Sequence, residues 1–478
     1  MTPLARTLCL ALGAAVASSC AIGPDYHRPE VQTDSAFKES TDWKPSEPND
    51  VLTRGPWWKI FNDETLDALE AQIDISNQNV KAAEAAFEQS RALLSQAHAG
   101  FWPSLAATFG AQRQGSPLVV TKPGGQTTIT TQTQTSYNAG LSASWDLDIW
   151  GKIRRTSEGE FASAQSSAAA LAAARLSAQA ELATDYFELR VQDQLQKLLD
   201  DTVEAETQSL HITESRYKFG VAARADVVAA ETQLLSSQAQ QVNAKIQRAI
   251  LEHAVAVLMG KPPSEFSLAP APMRGDVPTV PAGLPSTLLE RRPDVAEAER
   301  KMAAANAQIG VAKAGYFPDL TLTGSDQYST ASFSNLIRNS NRVWAVGPSL
   351  AQTLFNGGLV RAQVRQARAA YEGTVDAYRQ AVLTSFQQVE DDIVTLRVLE
   401  QEGLIEDETV KKAREAETLT LNQYKAGTVP YSSVITAQTT RLSAEETALS
   451  VLSSRLQSSV ALIEALGGGW DAAMAVVN

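Results

Sequence analysis

The residues able to do chemistry are few and scattered. The four histidines, His27, His98, His211 and His253, have no spacing that would gather them as metal ligands. No nucleophile sits in a recognisable elbow, and the five methionines give no relay for a soft Cu(I) ion. The run Leu-Gly-Gly-Gly at 466 to 469 follows a long helical pattern, so it reads as a helix stop rather than a phosphate loop. No enzyme activity, cofactor or metal site is expected. The formal net charge of -13 argues against nucleic acid as a partner and suits a soluble surface or a cation-favouring passage.

One cysteine stands apart. Residues 1–19 carry Arg6, an apolar run from Leu8 to Val16 and small residues beyond it, the pattern of a signal peptide. Ala17-Ser18-Ser19-Cys20 resembles a bacterial lipobox, with Ala17 where Leu is usual. Cys20 would then become the first mature residue and carry an anchor into membrane lipid. Cys9, the other cysteine, falls in the removed segment, so the mature chain has no disulfide. Beyond the signal no apolar run nears the roughly 20 residues of a membrane-spanning helix. Any span of a bilayer must then be a closed barrel.

The elements that would build such a barrel occur twice. AGFWPSL at 99 to 105 and AGYFPDL at 314 to 320 each end a long Ala-rich helical pattern and open a short alternating one. Gly100 and Gly315 suit a helix C-terminus, and Pro103 and Pro318 stop the helix. The recurrence at roughly 207 to 215 residues means two copies of one plan rather than three ordinary domains. Phe101, Trp102, Tyr316 and Phe317 place aromatic pairs at the strand starts, where they suit a membrane–water boundary; buried core aromatics are the alternative. Trp145, Trp150, Trp344 and Phe355 extend the same belt.

The organisation follows in order. Residues 20–62 form a Pro-, Asp-, Glu- and Ser-rich arm, closed by Trp57-Trp58-Lys59-Ile60-Phe61 as a hydrophobic plug. The first repeat spans 63–260. A helical pattern runs from Asp63 to Ala99, with Leu66, Leu69, Ile73, Val80, Ala83 and Phe87 on one side. Strands are expected near 104–113 and 137–149, separated by a Thr-, Gln- and Gly-rich loop at 114–135. In the second strand Tyr137, Ala139, Leu141, Ala143, Trp145, Leu147 and Ile149 face one way, against Asn138, Gly140, Ser142, Ser144, Asp146 and Asp148. That period of two suits a barrel strand between lipid and a watery lumen, or equally a half-buried sandwich strand. A Pro-rich linker at 261–285 leads to the second repeat, 286–469, with strands near 318–328 and 342–354; residues 470–478 form a tail.

Each strand pair feeds a very long helix. From Lys152 to about Lys218, and from Leu359 to about Lys425, no proline interrupts roughly 67 residues, about 100 Å of helix. In the second, apolar residues from Val360 through Tyr378, Val389 and Ile393 to Leu399 step by three and four, a nearly straight or weakly left-handed packing stripe. The other faces are rich in Ala, Ser and Gln, which allow close approach on more than one side. Both helices turn at a shared Tyr-Lys-x-Gly, at Tyr217 to Gly220 and Tyr424 to Gly427, giving hairpin tips near 217–226 and 424–433. Four strands cannot close a transmembrane barrel, whose smallest form has about eight. A trimer supplies about twelve, continued by a tube of paired helices.

The run LPSTLLERRPDVAEAERKMAAANAQIGVAKAGYFPDLTL at 284 to 322 resembles the signature of TolC-type outer-membrane factors, in particular the NodT-family lipoproteins of resistance-nodulation-division efflux systems. So do Cys20 to Tyr26, Trp57-Trp58 with Phe61 and Asp63, and the two Tyr-x-x-Gly tips. The resemblance implies a mainly α protein with a β-barrel, two repeats per chain and a trimer. The expected assembly has twelve strands in the outer membrane of a Gram-negative bacterium and an α-helical barrel in the periplasm. It also implies a periplasmic adaptor docking at the tips and an inner-membrane transporter supplying energy.

Carried over residue by residue, Tyr217, Gly220, Tyr424 and Gly427 match the tip motif, and Asp226 matches a carboxylate that ties neighbouring hairpins shut. Val429 stands where some relatives carry a tethering Arg, and Ser433 and Thr436 where they carry an acidic constriction. Closure is expected to rest on Asp226, Arg224 and Tyr424, with small residues at the neck; a solvated helix residue or dipole partner is the other reading of Asp226. Three functions follow from this sequence: an export duct for drugs or other small toxic compounds, the same duct serving one-step protein secretion, and a lipid-anchored coiled-coil scaffold without a pore.

Overall fold

The computed structural model describes residues 21–29, 38–39, 56–121, 123–125, 127–273, 277–278, 280 and 292–468. The signal segment, Cys20, most of the arm, part of the Pro-rich linker and the C-terminal tail lie outside the described residues.

Helices α1 (Glu64–Ser76) and α2 (Gln78–Ala99) lead into strands β1 (Ser104–Thr121) and β2 (Thr127–Asp146). Helix α3 (Lys152–Lys218) and its return α4 (Arg224–Leu258) complete the first half. The second half repeats the order as α5 (Pro293–Ala314), β3 (Asp319–Thr330), β4 (Arg342–Ala351), α6 (Leu359–Ala426) and α7 (Tyr431–Ala465).

The compact units do not follow the repeats. One takes residues 1–29, 88–164 and 299–376, the other 30–87, 165–298 and 377–478.

The first unit holds an antiparallel sheet of order β1-β2-β3-β4. Its register puts Leu105, Phe109, Leu141, Trp145, Leu322, Trp344, Val346 and Leu350 on one face. The other face is polar. There Ser329 donates to Asn138 Oδ1 at 2.8 Å and Thr321 donates to Asp146 Oδ1 at 2.8 Å. The first strand pair is much longer than its apolar alternation. Most of the expected loop at 114–135 is strand, paired from Gln114↔Gln134 to Thr121↔Thr127. Its Thr-rich stretches keep the backbone extended while neither face is apolar, so the ladder continues after the pattern ends. At the opposite ends β2 stops at Asp146 and β4 at Ala351, short of 149 and 354.

The second unit's core gathers Trp57, Phe61, Leu66, Ile73, Leu182, Tyr186, Phe187, Val389, Ile393, Val460 and Ile463. The aromatic plug is real: Trp57 and Phe61 are buried, and the Phe61 ring lies 4.6 Å from that of Phe187. Asp63 caps α1, accepting from the Thr65 and Leu66 amides, while its second oxygen accepts from Tyr186 Oη at 2.7 Å. The single helix expected over 63–99 is broken at Asn77, which is extended at φ -63 and ψ 125. Its side chain caps α2 through the Asn79 and Val80 amides and donates to the Leu258 carbonyl at 2.9 Å. A helical period continues through such a break, so the apolar spacing could not show it.

Candidate functional site

Two regions carry the residues singled out by the sequence. In the second unit, each helical hairpin turns on a glycine with positive φ, +74 at Gly220 and +81 at Gly427. The turns close alike: the Gly220 amide donates to the Tyr217 carbonyl at 2.8 Å and that of Gly427 to Tyr424 at 2.9 Å. Between the tips lies a small core of Ala230, Tyr424, Tyr431 and Val434, against which Val429 packs. The two tyrosine rings meet edge to face at 5.1 Å.

Both buried tyrosines reach across to α3. Tyr431 Oη and Ser209 Oγ share a hydrogen bond at 3.2 Å, and Tyr424 Oη donates to Thr213 at 3.4 Å. Arg216 completes the tie, its guanidinium 4.8 Å from the Tyr424 ring centroid while Nη1 donates to the Lys425 carbonyl at 2.8 Å. Burial pushes the Tyr431 phenol up, which keeps it a hydrogen-bonding hydroxyl.

The expected trio of Asp226, Arg224 and Tyr424 is not brought together within the chain. The Asp226 carboxylate accepts from the Ala223 amide at 3.2 Å, closing the first turn of its own helix. Arg224 lies 3.8 Å from Glu231 on the same helix, both well exposed. Tyr217 and Thr436 are exposed and Ser433 is half-buried. Sequence reasoning missed Ser209, Thr213, Arg216 and Tyr431. The first three step by four and three along α3, a shared face legible in principle. It also missed Phe219, which leaves 84% of its surface exposed at the first tip.

Farther from the tips, the same unit joins its hairpins through charge. Arg441 of α7 pairs with Glu417 of α6 at 2.6 Å, pairs with Glu445, and donates to Thr202 of α3 at 3.1 Å. Glu445 also takes Arg414 at 2.6 Å.

In the first unit, the two helix-to-strand junctions are held by indoles. Trp145 Nε1 donates to the Phe101 carbonyl at 2.9 Å and Trp150 Nε1 to that of Pro318 at 2.8 Å. Trp150 stacks on Phe317 at 4.8 Å. Trp102, Tyr316, Trp344 and Phe355 are exposed, from 50% at Tyr316 to 89% at Phe355. Trp150 and Phe101 are half-buried. Asp148 caps α3 through the Ile153 and Arg154 amides, both at 2.9 Å.

The start of the described arm runs along this unit. The Ile22 amide donates to the Trp150 carbonyl at 3.1 Å. Arg155, buried, binds Asp25 and Glu158 at 2.7 Å each, and Asn306 donates to the Pro24 carbonyl at 3.0 Å. No group of three or more His, Cys, Asp or Glu among the described residues could hold a metal ion.

A duplicated plan with a four-stranded sheet and paired long helices has a match among known families. The profile of outer membrane efflux proteins matches residues 70–261 and 284–468. The chain belongs to the outer membrane efflux protein family. This outer membrane efflux protein is 32% identical to the pyoverdine export outer membrane protein OpmQ of Pseudomonas aeruginosa, over 87% of each chain. It is 28% identical to the toluene efflux pump outer membrane protein TtgC of Pseudomonas putida, over 97% of this chain and 95% of the relative.

Its fold is that of solved outer-membrane channels. The channel OprN superposes with a TM-score of 0.85 at 29% identity, covering 94% of this chain and 100% of OprN. The open state of the Neisseria gonorrhoeae channel MtrE gives 0.83 at 28% identity, covering 94% and 98%. The protein is thus an outer-membrane channel of an efflux system, mainly α-helical, with two structural repeats and a strand contribution to a β-barrel.

Proposed function

We propose that the protein is a homotrimer acting as a passive exit duct for small toxic organic compounds. An inner-membrane transporter of the resistance-nodulation-division type drives it through a periplasmic adaptor. One observation carries the reading: the sheet is open, with β1 and β4 at its edges and no second partner strand for either among the described residues. Its exposed apolar face belongs in lipid, where an unpaired strand edge is not tolerated. Three copies of four strands make a closed ring of twelve, an even number within the range of such barrels.

The chain itself does no chemistry, and its role is to hold a continuous path. The exposed Phe219 at one tip, beside exposed Val221 and Tyr217, gives the adaptor an apolar surface to cover. Closure of the neck rests on the ties among Arg216, Tyr424, Tyr431, Ser209 and Thr213. A lipid on Cys20 fits the neighbourhood of Ala21, whose Cα lies 2.8 Å from where a side chain on Gly151 would begin. That contact seats the arm against the base of the sheet.

The test is the detergent-corrected mass of protein extracted from outer membranes, followed by planar-bilayer conductance. A mass of three chains with stable conducting steps supports the duct. A monomer that stays folded would end it, since one sheet cannot close. Loss of the gene is expected to sensitise cells to solvents and drugs. Loss of secretion of a protein, without sensitisation, would assign the duct to protein export instead.

A further inference from the structure

Near the start of α6, Arg361, Arg365 and Arg368 stand four and three residues apart, so they share one face of the helix. With Lys313 of α5 they line a cavity of about 560 Å3 whose other walls include Ile22 and Phe317. None of these four cations has a side-chain hydrogen bond or ion pair among the described residues. Several other basic residues of this unit are answered: Arg154 by Asp148, Arg155 by Asp25 and Glu158, Arg342 by Asp326. In a chain of net charge -13, four unanswered positive charges around one partly apolar cavity call for an anion.

Position names the anion. Phe317 lies two residues before β3, and the apolar face of the sheet begins just beyond it with the pair Leu320↔Leu350. The cavity is therefore at the foot of the band that faces hydrocarbon, at the level where headgroups lie. Ile22 is two residues from Cys20, the expected anchor. An aromatic ring beside clustered cations suits a molecule that is charged at one end and apolar at the other.

We propose that this cavity seats the phosphate headgroup of an anionic phospholipid from the periplasmic leaflet of the outer membrane. Its acyl chains would lie along Phe317 and the apolar face of β3 and β4. The proposal rests on the outer-membrane location, and the experiment separates the two: membrane fractionation tests the location and lipid selectivity tests the cavity. Surface cations of this kind act through screened attraction, so the selectivity should weaken with salt.

The full-length protein, extracted and delipidated in a non-ionic detergent, is titrated with phosphatidylglycerol, phosphatidylethanolamine or inorganic phosphate and read by native mass spectrometry. Wild-type protein is expected to retain phosphatidylglycerol at least tenfold better than phosphatidylethanolamine. The variant R361Q/R365Q/R368Q should lose that preference at unchanged oligomer mass and conductance. K197Q/K411Q/K412Q, which removes the same charge elsewhere, should keep it. Should the triple variant fail to assemble, R365Q alone is read, with a several-fold loss expected.

Three results overturn the proposal. An unchanged preference in R361Q/R365Q/R368Q, or in R365Q where that is read, would show that the cations do not hold lipid. Displacement of phosphatidylglycerol by equimolar inorganic phosphate would make the site one for free anions. No preference in wild type, with dissociation of the assembly in the triple variant, would mean that the cations face a second copy of the chain. Absence of the protein from the outer-membrane fraction would instead defeat the location.

Discussion

Arg216 lies over the ring of Tyr424, its guanidinium carbon 4.8 Å from the centroid, and the same side chain donates to the neighbouring Lys425 carbonyl at 2.8 Å. One residue from the first hairpin thus grips both a ring and a backbone group of the second. Arg216→Ala removes a cation–π contact of about 0.5–1 kcal/mol and a hydrogen bond of comparable size. Purified Arg216→Ala channels are expected to show higher or longer-lived conductance in planar bilayers than wild type. Unchanged traces would mean that the tips are held shut elsewhere.

Asp226 has a local task, since its carboxylate accepts from the Ala223 amide at 3.2 Å. Asp226→Ala should destabilise the first turn of α4 by about 0.5–2 kcal/mol, and Asp226→Asn by less. Neither is expected to raise conductance as far as Arg216→Ala. A larger opening from Asp226→Asn than from Arg216→Ala would restore this carboxylate as the main tie, acting between copies of the chain.

Gly310 is the seat of the arm. A Cβ there would stand 2.7 Å from the Ile22 carbonyl oxygen and 2.8 Å from Arg155 Cγ. Gly310→Ala must push residues 22 and 23 off the helices. Limited proteolysis is expected to cut the variant's arm several-fold faster, with the sheet and helices intact by circular dichroism. Equal cutting rates would show that the arm is held without this contact.

Glu70 is buried in α1 with neither carboxylate oxygen hydrogen-bonded among the described residues. Burial first, then Asp74 and Asp67, push its carboxyl up to about 9 from an ordinary 4.5. The folded state therefore holds a proton that the unfolded chain releases. Its stabilising effect is complete below about 4.5 and is lost progressively as pH climbs towards 9. Glu70→Gln keeps the neutral shape at every pH. Relative to wild type it should be neutral at about pH 4 and more stable by about 1 kcal/mol or more at about pH 8. Thermal unfolding at the two pH values checks this, and a difference independent of pH would refute it.

How far the fold could be read differs from element to element. The long helices were legible because a packing stripe such as Tyr378, Val382, Val389 and Ile393 repeats for many turns, and all four are buried. The apolar parts of the strands were legible for the same reason, at a period of two. Asn77 was not, because a cap can break a helix without disturbing the spacing of Ile73 and Val80 on either side of it. The strand residues from Gln114 to Thr121 were not either, since backbone pairing alone defines them.

The amino-acid sequence by itself determined that this protein is two copies of one plan, strand pairs feeding long helical hairpins, because periodic burial and stop residues are local properties of the chain. Only the tertiary structure decided which groups meet. Tyr424 finds Thr213 rather than Asp226, and three arginines of α6 gather with Lys313 around one cavity. Such contacts join residues far apart in sequence, and their partners follow from how the helices pack and in what register, which no local pattern records.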